Sequence, residues 1–193
     1  YGLTADENYV YILTSRSRST AFRKYAKDDF TEVVGRGLLY TNTYLPSAQS
    51  WTLSPINNAN VIMFEAAGDY LYAITEGGAG YRISKNFEMN AFDWMDSDEL
   101  DEYGATMAND GTVTIPEENF IEEHYYSNRF SYTSYAAAYD EARDRMCVAY
   151  ANRRLYVVDN ELNEVSWVPI DDIPGEAMLL HEESGCLLYT SDA

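Results

Sequence analysis

Three stretches of the chain share one pattern. Tyr9-Val10-Tyr11-Ile12-Leu13-Thr14, Tyr70-Leu71-Tyr72-Ala73-Ile74-Thr75 and Met146-Cys147-Val148-Ala149-Tyr150 are short runs, apolar on both faces rather than alternating. A polar turn follows each, then a second strand-like run: Ala21 to Tyr25, Tyr81 to Ser84, and Leu155 to Asp159. After another short turn comes a third: Phe30 to Val34, Phe87 to Asn90, and Glu164 to Val168. An antiparallel strand with one wet face alternates apolar and polar residues, so these first strands are expected to be covered on both sides. Self-similarity of this kind is the mark of a repeat architecture.

A further run precedes two of the triplets. Val61 to Ala66 leads into the turn dipeptide Gly68-Asp69, and Ser134 to Tyr139 leads into the turn from Asp140 to Arg145. Another unit starts with Ala177 to Leu180, turns at Glu182 to Gly185 and re-enters at Leu187 to Thr190. Four-stranded sheets packed face to face between neighbours describe a β-propeller. The fold expected is therefore all-β, a partial ring of antiparallel four-stranded blades with about four blades represented. The alternative, a β-sandwich, would leave polar outer faces that these strands lack.

Residues 1–8 show no inner strand, so two complete blades flanked by two incomplete ones are expected. The matching positions Ile12, Ala73, Val148 and Leu188 are unevenly spaced, which places insertions at 35–60 and 91–129 within a single domain spanning 1–193. The first insertion carries Gly37 to Thr41 as a candidate strand. The second carries Gly111 to Ile115 as another, and Glu117 to His124 as helical turns after Pro116, a favourable helix start. The chain begins at Tyr1 rather than Met and stops within a unit, so a trimmed or processed piece of a larger polypeptide or assembly is expected.

Composition narrows the function. Eighteen tyrosines suit pleated, half-buried surfaces. A net charge of −19, from 32 acidic against 13 basic residues, argues against nucleic acid and against an anionic membrane surface. No run approaches the roughly 18 apolar residues of a spanning helix, so neither a spanning helix nor a signal peptide is expected within the given residues. The two cysteines, Cys147 and Cys186, are too few for a disulfide framework. The acidic run from Asp93 to Glu102 lacks the spacing of a calcium loop and reads as a solvated face, so no metal is expected. His124 and His181 do not form a zinc motif, and no Gly-x-Ser-x-Gly elbow occurs. Glu76-Gly77-Gly78-Ala79-Gly80 joins two strands, so it reads as a hairpin turn and not a phosphate loop.

The segment from Val157 to Trp167 resembles the tryptophan-docking motif of quinoprotein-type propellers. Asp159 and Trp167 keep that motif's spacing, and Leu162-Asn163 stands where the family has Thr-Gly. The resemblance implies a propeller outer hairpin in which Asp159 caps the turn and Trp167 offers a plate to the neighbouring blade. The Tyr-rich, acidic blades, with phrases such as Tyr139-Asp140-Glu141-Ala142-Arg143, also resemble propeller domains of Bacteroidetes surface lipoproteins associated with nutrient uptake. That likeness implies an exported, cell-surface or outer-membrane protein with a non-catalytic binding or scaffold role, without cofactor, and accessory to glycan or peptide uptake. Its partner would be another protein or the remainder of a larger chain or assembly. A propeller-fold carbohydrate-active hydrolase or lyase is the alternative. If a ligand surface exists, its candidates are the aromatics of the second insertion: Phe92, Trp94, Tyr103, Tyr125 and Tyr126.

Overall fold

The computed structural model describes residues 2–16, 19–56, 60–85, 100–101, 103–120, 125–170, 178–181 and 186–189. Phe87 to Asn90, Phe92, Trp94 and nearly all of the acidic run lie outside the described residues.

The first blade is β1 (Gly2–Ala5), β2 (Tyr9–Arg16), β3 (Ser19–Ala26) and β4 (Glu32–Leu38), paired in that order. Residues 1–8 therefore do supply an inner strand: Leu3 pairs with Ile12 and Thr4 with Tyr11. Two strands of the next sheet, β5 (Tyr40–Leu45) and β6 (Ser50–Pro55), follow. The second blade consists of β7 (Val61–Ala67), β8 (Tyr70–Thr75) and β9 (Ala79–Ser84). Its outer strand is not adjacent in sequence. After β10 (Thr106–Met107) and β11 (Val113–Pro116), the chain returns as β12 (Tyr125–Arg129) to pair with β9. The third blade is β13 (Ser134–Asp140), β14 (Arg145–Tyr150), β15 (Arg154–Asp159) and β16 (Glu164–Pro169), and a hairpin of β17 (Met178–His181) and β18 (Cys186–Tyr189) begins another.

The inner strands contact one another in sequence, β1 against β7, β7 against β13, and β13 against β17. That order, with antiparallel four-stranded blades, is a β-propeller. Among the described residues there are three complete blades and two strands of another, which corrects the expected two complete blades flanked by two incomplete ones. The two insertions, read separately in the sequence, build one additional four-stranded sheet in the order β10-β11-β6-β5. Among the described residues, no helix is long and apolar enough to cross a membrane.

The double burial expected of the first strands is realised in β8 and β14 but not in β2, where Tyr11 and Leu13 are buried while Val10, Ile12 and Thr14 are half-buried. Leu71 to Thr75 in β8 and Met146 to Tyr150 in β14 are all buried. Strand alternation sends their side chains to opposite faces, Cys147 and Ala149 into a small apolar cluster with Leu155 and Ile170, and the other apolar side chains into two larger ones. One holds Leu13, Phe22, Leu71, Ile83, Val113 and Ile115, joining the first blade, the second blade and the added sheet. The other holds Tyr72, Ile74, Met146, Val148 and Val158, joining the second blade to the third.

Polar contacts link the first two blades at the rim. Lys24 is nearly buried; its ammonium donates to the Lys85 carbonyl at 3.0 Å and lies 4.0 Å from the Tyr9 ring centre. Asp6 accepts the Asn8 and Tyr9 backbone N–H groups, the Tyr11 hydroxyl at 2.8 Å, and pairs with Lys85 at 3.1 Å. Burial opposes the Asp6 charge, but these donors outweigh it and hold its pKa at about 2 against an ordinary 3.8. A lowered folded-state pKa contributes stability that is complete above the unfolded value and lost as pH falls through the folded one. The stability difference between wild type and Asp6→Asn, measured by urea unfolding, is therefore expected to shrink between about pH 4 and pH 2. A difference independent of pH in that window would show that Asp6 adds nothing as an anion.

Candidate functional site: a polar cleft beside the added sheet

The added sheet meets the second blade along two strand edges. β5 and β12 start side by side and run parallel, with Tyr40 opposite Tyr125 and Asn42 opposite Ser127, yet no backbone ladder joins them. Side chains do the joining. The Tyr125 hydroxyl accepts the Tyr40 N–H at 2.5 Å and donates to the Tyr40 carbonyl at 2.5 Å. Asn42 N–H donates to Ser127 Oγ at 3.1 Å, Ser127 N–H donates to Asn42 Oδ1 at 3.1 Å, and Ser127 Oγ also donates to Asn42 Oδ1. This clasp satisfies edge groups that a neighbouring strand would otherwise occupy.

A cleft of about 730 Å³ opens beside the clasp. One wall comes from β5 with Thr41 and Thr43. The facing wall is β12 with Ser127 and Arg129, and Thr75 to Ala79 of the β8–β9 hairpin close one side. The hairpin is held from three directions. Glu76 N–H donates to the Asn60 carbonyl at 2.8 Å, Ser134 N–H to the Glu76 carbonyl at 3.0 Å, and Phe130 N–H to the Gly78 carbonyl at 2.7 Å. The Glu76 carboxylate accepts the Asn60 amide at 2.5 Å. Tyr81 is 2% exposed and lines the cleft. Burial pushes its hydroxyl pKa up, and the Arg129 guanidinium pulls it partly back. The wall is thus rich in hydroxyls and amides, with one acid and one base. It can bind a polar molecule by hydrogen bonds and one or two charge-assisted contacts.

The aromatic candidates fall elsewhere. Tyr103 is half-buried against the first apolar cluster, and its carbonyl accepts the Asn119 amide at 2.8 Å. Tyr125 is 3% exposed in that same cluster, its ring edge-on to Tyr40 with centroids 6.4 Å apart. Tyr126 points to the opposite face of the blade, against the second cluster, 5.8 Å from the Arg82 guanidinium. The structure therefore brings Tyr103 and Tyr125 into one cluster and separates Tyr126 from them, and none of the three lines the cleft. The lining residues Thr43, Asn60, Glu76, Tyr81 and Arg129 escaped the sequence reading. Their one sequence signal is position, since Asn60 and Arg129 end the two insertions and Thr43 lies within the first.

In the motif-like hairpin, Asp159 Oδ1 accepts the backbone N–H groups of Glu161 at 3.0 Å and Asn163 at 2.8 Å. Leu162 takes the left-handed conformation with φ +65° and is fully buried. Trp167 lies on the outermost strand at 46% exposure, with the Arg154 guanidinium 3.6 Å above its ring. Its plate is thus covered from within its own blade. Asp159→Ala is expected to cost about 1 kcal/mol, as loss of a capping oxygen does elsewhere, read as a lower urea midpoint with unchanged slope. An unchanged midpoint would mean the turn holds without the carboxylate.

No family model and no curated protein matches this sequence. Among solved structures, the chain is similar to the WD40 domain of Toxoplasma gondii coronin, with 12% identity and a TM-score of 0.37 over 92% of this chain and 47% of that one. It is also similar to Hsv2 of Kluyveromyces lactis, with 9% identity and a TM-score of 0.23 over 87% of this chain and 62% of that one. The chain thus spans about half of the coronin domain and less than two thirds of Hsv2. The propeller assignment rests on the chain's own strand order and inner-strand contacts.

Proposed function

We propose that this chain is a non-catalytic binding module of an exported surface protein, taking a glycan in the cleft between the added sheet and the second blade. The observation that carries the reading is the wall itself. Hydroxyls and amides from two insertions and a blade converge on about 730 Å³ of open space. That volume is in the range of small-molecule sites, and the lining suits a ligand that presents many hydroxyls. Hydrolysis of a glycosidic bond ordinarily needs two carboxyl groups across the bond. Among the described lining residues Glu76 is the one carboxylate, which favours binding over turnover. The excess of acidic residues suits a soluble, extracellular-facing module that repels its own copies.

The test is a glycan panel, with peptides as comparison, assayed for both binding and product release. Binding without turnover is expected, weakened by Thr43→Val and Asn60→Ala. Product release abolished by Glu76→Gln would instead establish the carbohydrate-active enzyme reading. Export is tested separately, by fractionating the native protein between cytoplasm and envelope.

A further inference from the structure

We propose that the ligand of this cleft carries a carboxylate, as a uronate residue of an acidic glycan does, and that the acid seats on the Arg129 guanidinium and the Tyr81 hydroxyl. This rests on the glycan reading of the cleft and specifies its chemistry.

Arg129 is the first observation. Most cations placed around the blades are engaged. Arg23 pairs with Glu32, Arg143 and Arg145 both pair with Asp140, Lys85 pairs with Asp6, and Arg154 covers Trp167. Arg129 lines the cleft, exposed, and its guanidinium meets no acid or hydrogen-bond acceptor among the described residues. In a chain with 32 acidic against 13 basic residues, a cation left without an acid in a concave wall is a local positive spot in a negative field.

Tyr81 is the second and independent observation. Its ring is buried in the first apolar cluster, while its hydroxyl, which meets no hydrogen-bond partner among the described residues, stays open to the cleft that Tyr81 lines and is free to donate. The register places the two groups together. Tyr81 pairs with Ser127 and Ala79 with Arg129, so both side chains leave the same face of adjacent strands. The pull of Arg129 on the Tyr81 hydroxyl agrees with that placement.

A planar guanidinium fork beside a hydroxyl donor matches the two oxygens of a carboxylate. Glu76, tied to Asn60, gives the hairpin side of the wall the opposite sign, so a ligand acid is held at Arg129. A net charge of −19 repels polyanions, which favours a chain bearing isolated acids among neutral hydroxyls. A peptide fits less well, because peptide recognition draws affinity from apolar anchor pockets. Among the described residues, Ile56 and Ala79 are the only aliphatic side chains in the wall.

The experiment is calorimetric titration of the full chain with trimers of galacturonate, glucuronate and mannuronate. Their methyl esters, the matching neutral trimers and an acidic peptide serve as comparison. At least one free acid is expected to bind about tenfold or more tighter than its ester, the size of one lost charge-assisted hydrogen bond. Arg129→Gln and Tyr81→Phe should each bring the acid down towards the affinity of the ester, and should weaken the acid much more than the ester. Both variants should melt with the wild type, since Tyr81→Phe keeps the buried ring and the exposed Arg129 pairs with no acid among the described residues. Equal binding of acid, ester and neutral trimer would overturn the carboxylate inference and leave the glycan cleft standing. Binding of the peptide alone, or of none of these probes, would overturn both.

Discussion

Tyr125→Phe is expected to destabilise the protein by about 2–4 kcal/mol, because one phenolic oxygen serves two backbone groups in the core. Tyr125 donates to the Tyr40 carbonyl and accepts from the Tyr40 N–H, both at 2.5 Å, at a position 3% exposed. Phenylalanine keeps the ring and its packing, so the loss isolates the hydrogen bonds. For a domain of this size the melting temperature should fall by roughly 10 °C. The damage should be local before it is global. The added sheet touches the second blade through this clasp, so amide exchange should accelerate first in Tyr40–Leu45 and Val113–Pro116, ahead of Tyr70–Thr75. Ligand affinity should drop as well, although Tyr125 does not line the cleft. Tyr126→Phe is the control. Its ring lies on the other blade face with no hydrogen bond to its hydroxyl among the described residues, and its effect should stay within about 0.5 kcal/mol. Equal effects of the two substitutions would refute the clasp.

The contrast between those neighbouring tyrosines shows where sequence reading stops. Tyr70–Thr75 and Met146–Tyr150 were legible as doubly covered strands because burial on two faces leaves no polar alternation to hide it. β1 was not legible. Gly2-Leu3-Thr4-Ala5 is short, and its small residues serve close approach: a Cβ on Gly2 would lie 2.7 Å from that of Phe64. Leu3, 70% exposed, gives no burial signal either. The outer strand of the second blade was misplaced because the second insertion falls between β9 and β12, and pairing across such a gap leaves no local pattern. The added sheet was missed for the same reason, since β11 from one insertion pairs with β6 from the other. Each insertion looked like decoration, and only together do they bury Leu53, Val113 and Ile115.

The cleft was hidden by chemistry rather than by distance. Aromatic residues attract attention as ligand plates, but burial claims Tyr125 for the core and packing claims Tyr103 and Tyr126. The wall instead uses short hydroxyl and amide side chains that follow no spacing rule. Tyr81 looks in sequence like any strand tyrosine, and only its place in the cleft wall, on the same blade face as Arg129, distinguishes it.

The hairpin that closes the cleft makes the second large prediction. Gly78→Ala is expected to cost about 2–5 kcal/mol, from two additive sources. Gly78 sits at φ +78°, where an L side chain costs about 1–2 kcal/mol. A Cβ there would also lie 2.3 Å from the Tyr132 carbonyl oxygen, a backbone atom that cannot swing aside. Forcing it apart should add about 1–3 kcal/mol. Gly68→Ala separates the two sources, since Gly68 has φ +50° and nothing within 4 Å of the added carbon. It should show only the conformational cost. The functional consequence follows from the same contact. Gly78 also accepts the Phe130 N–H at 2.7 Å, and Phe130 directly follows Arg129, so relieving the clash moves the end of β12 away from the hairpin. Arg129 and Glu76 then separate, and affinity for an acidic glycan should fall in Gly78→Ala but hold in Gly68→Ala at temperatures where both are folded. If the two glycine variants match in stability and in affinity, the hairpin does not set the geometry of the cleft.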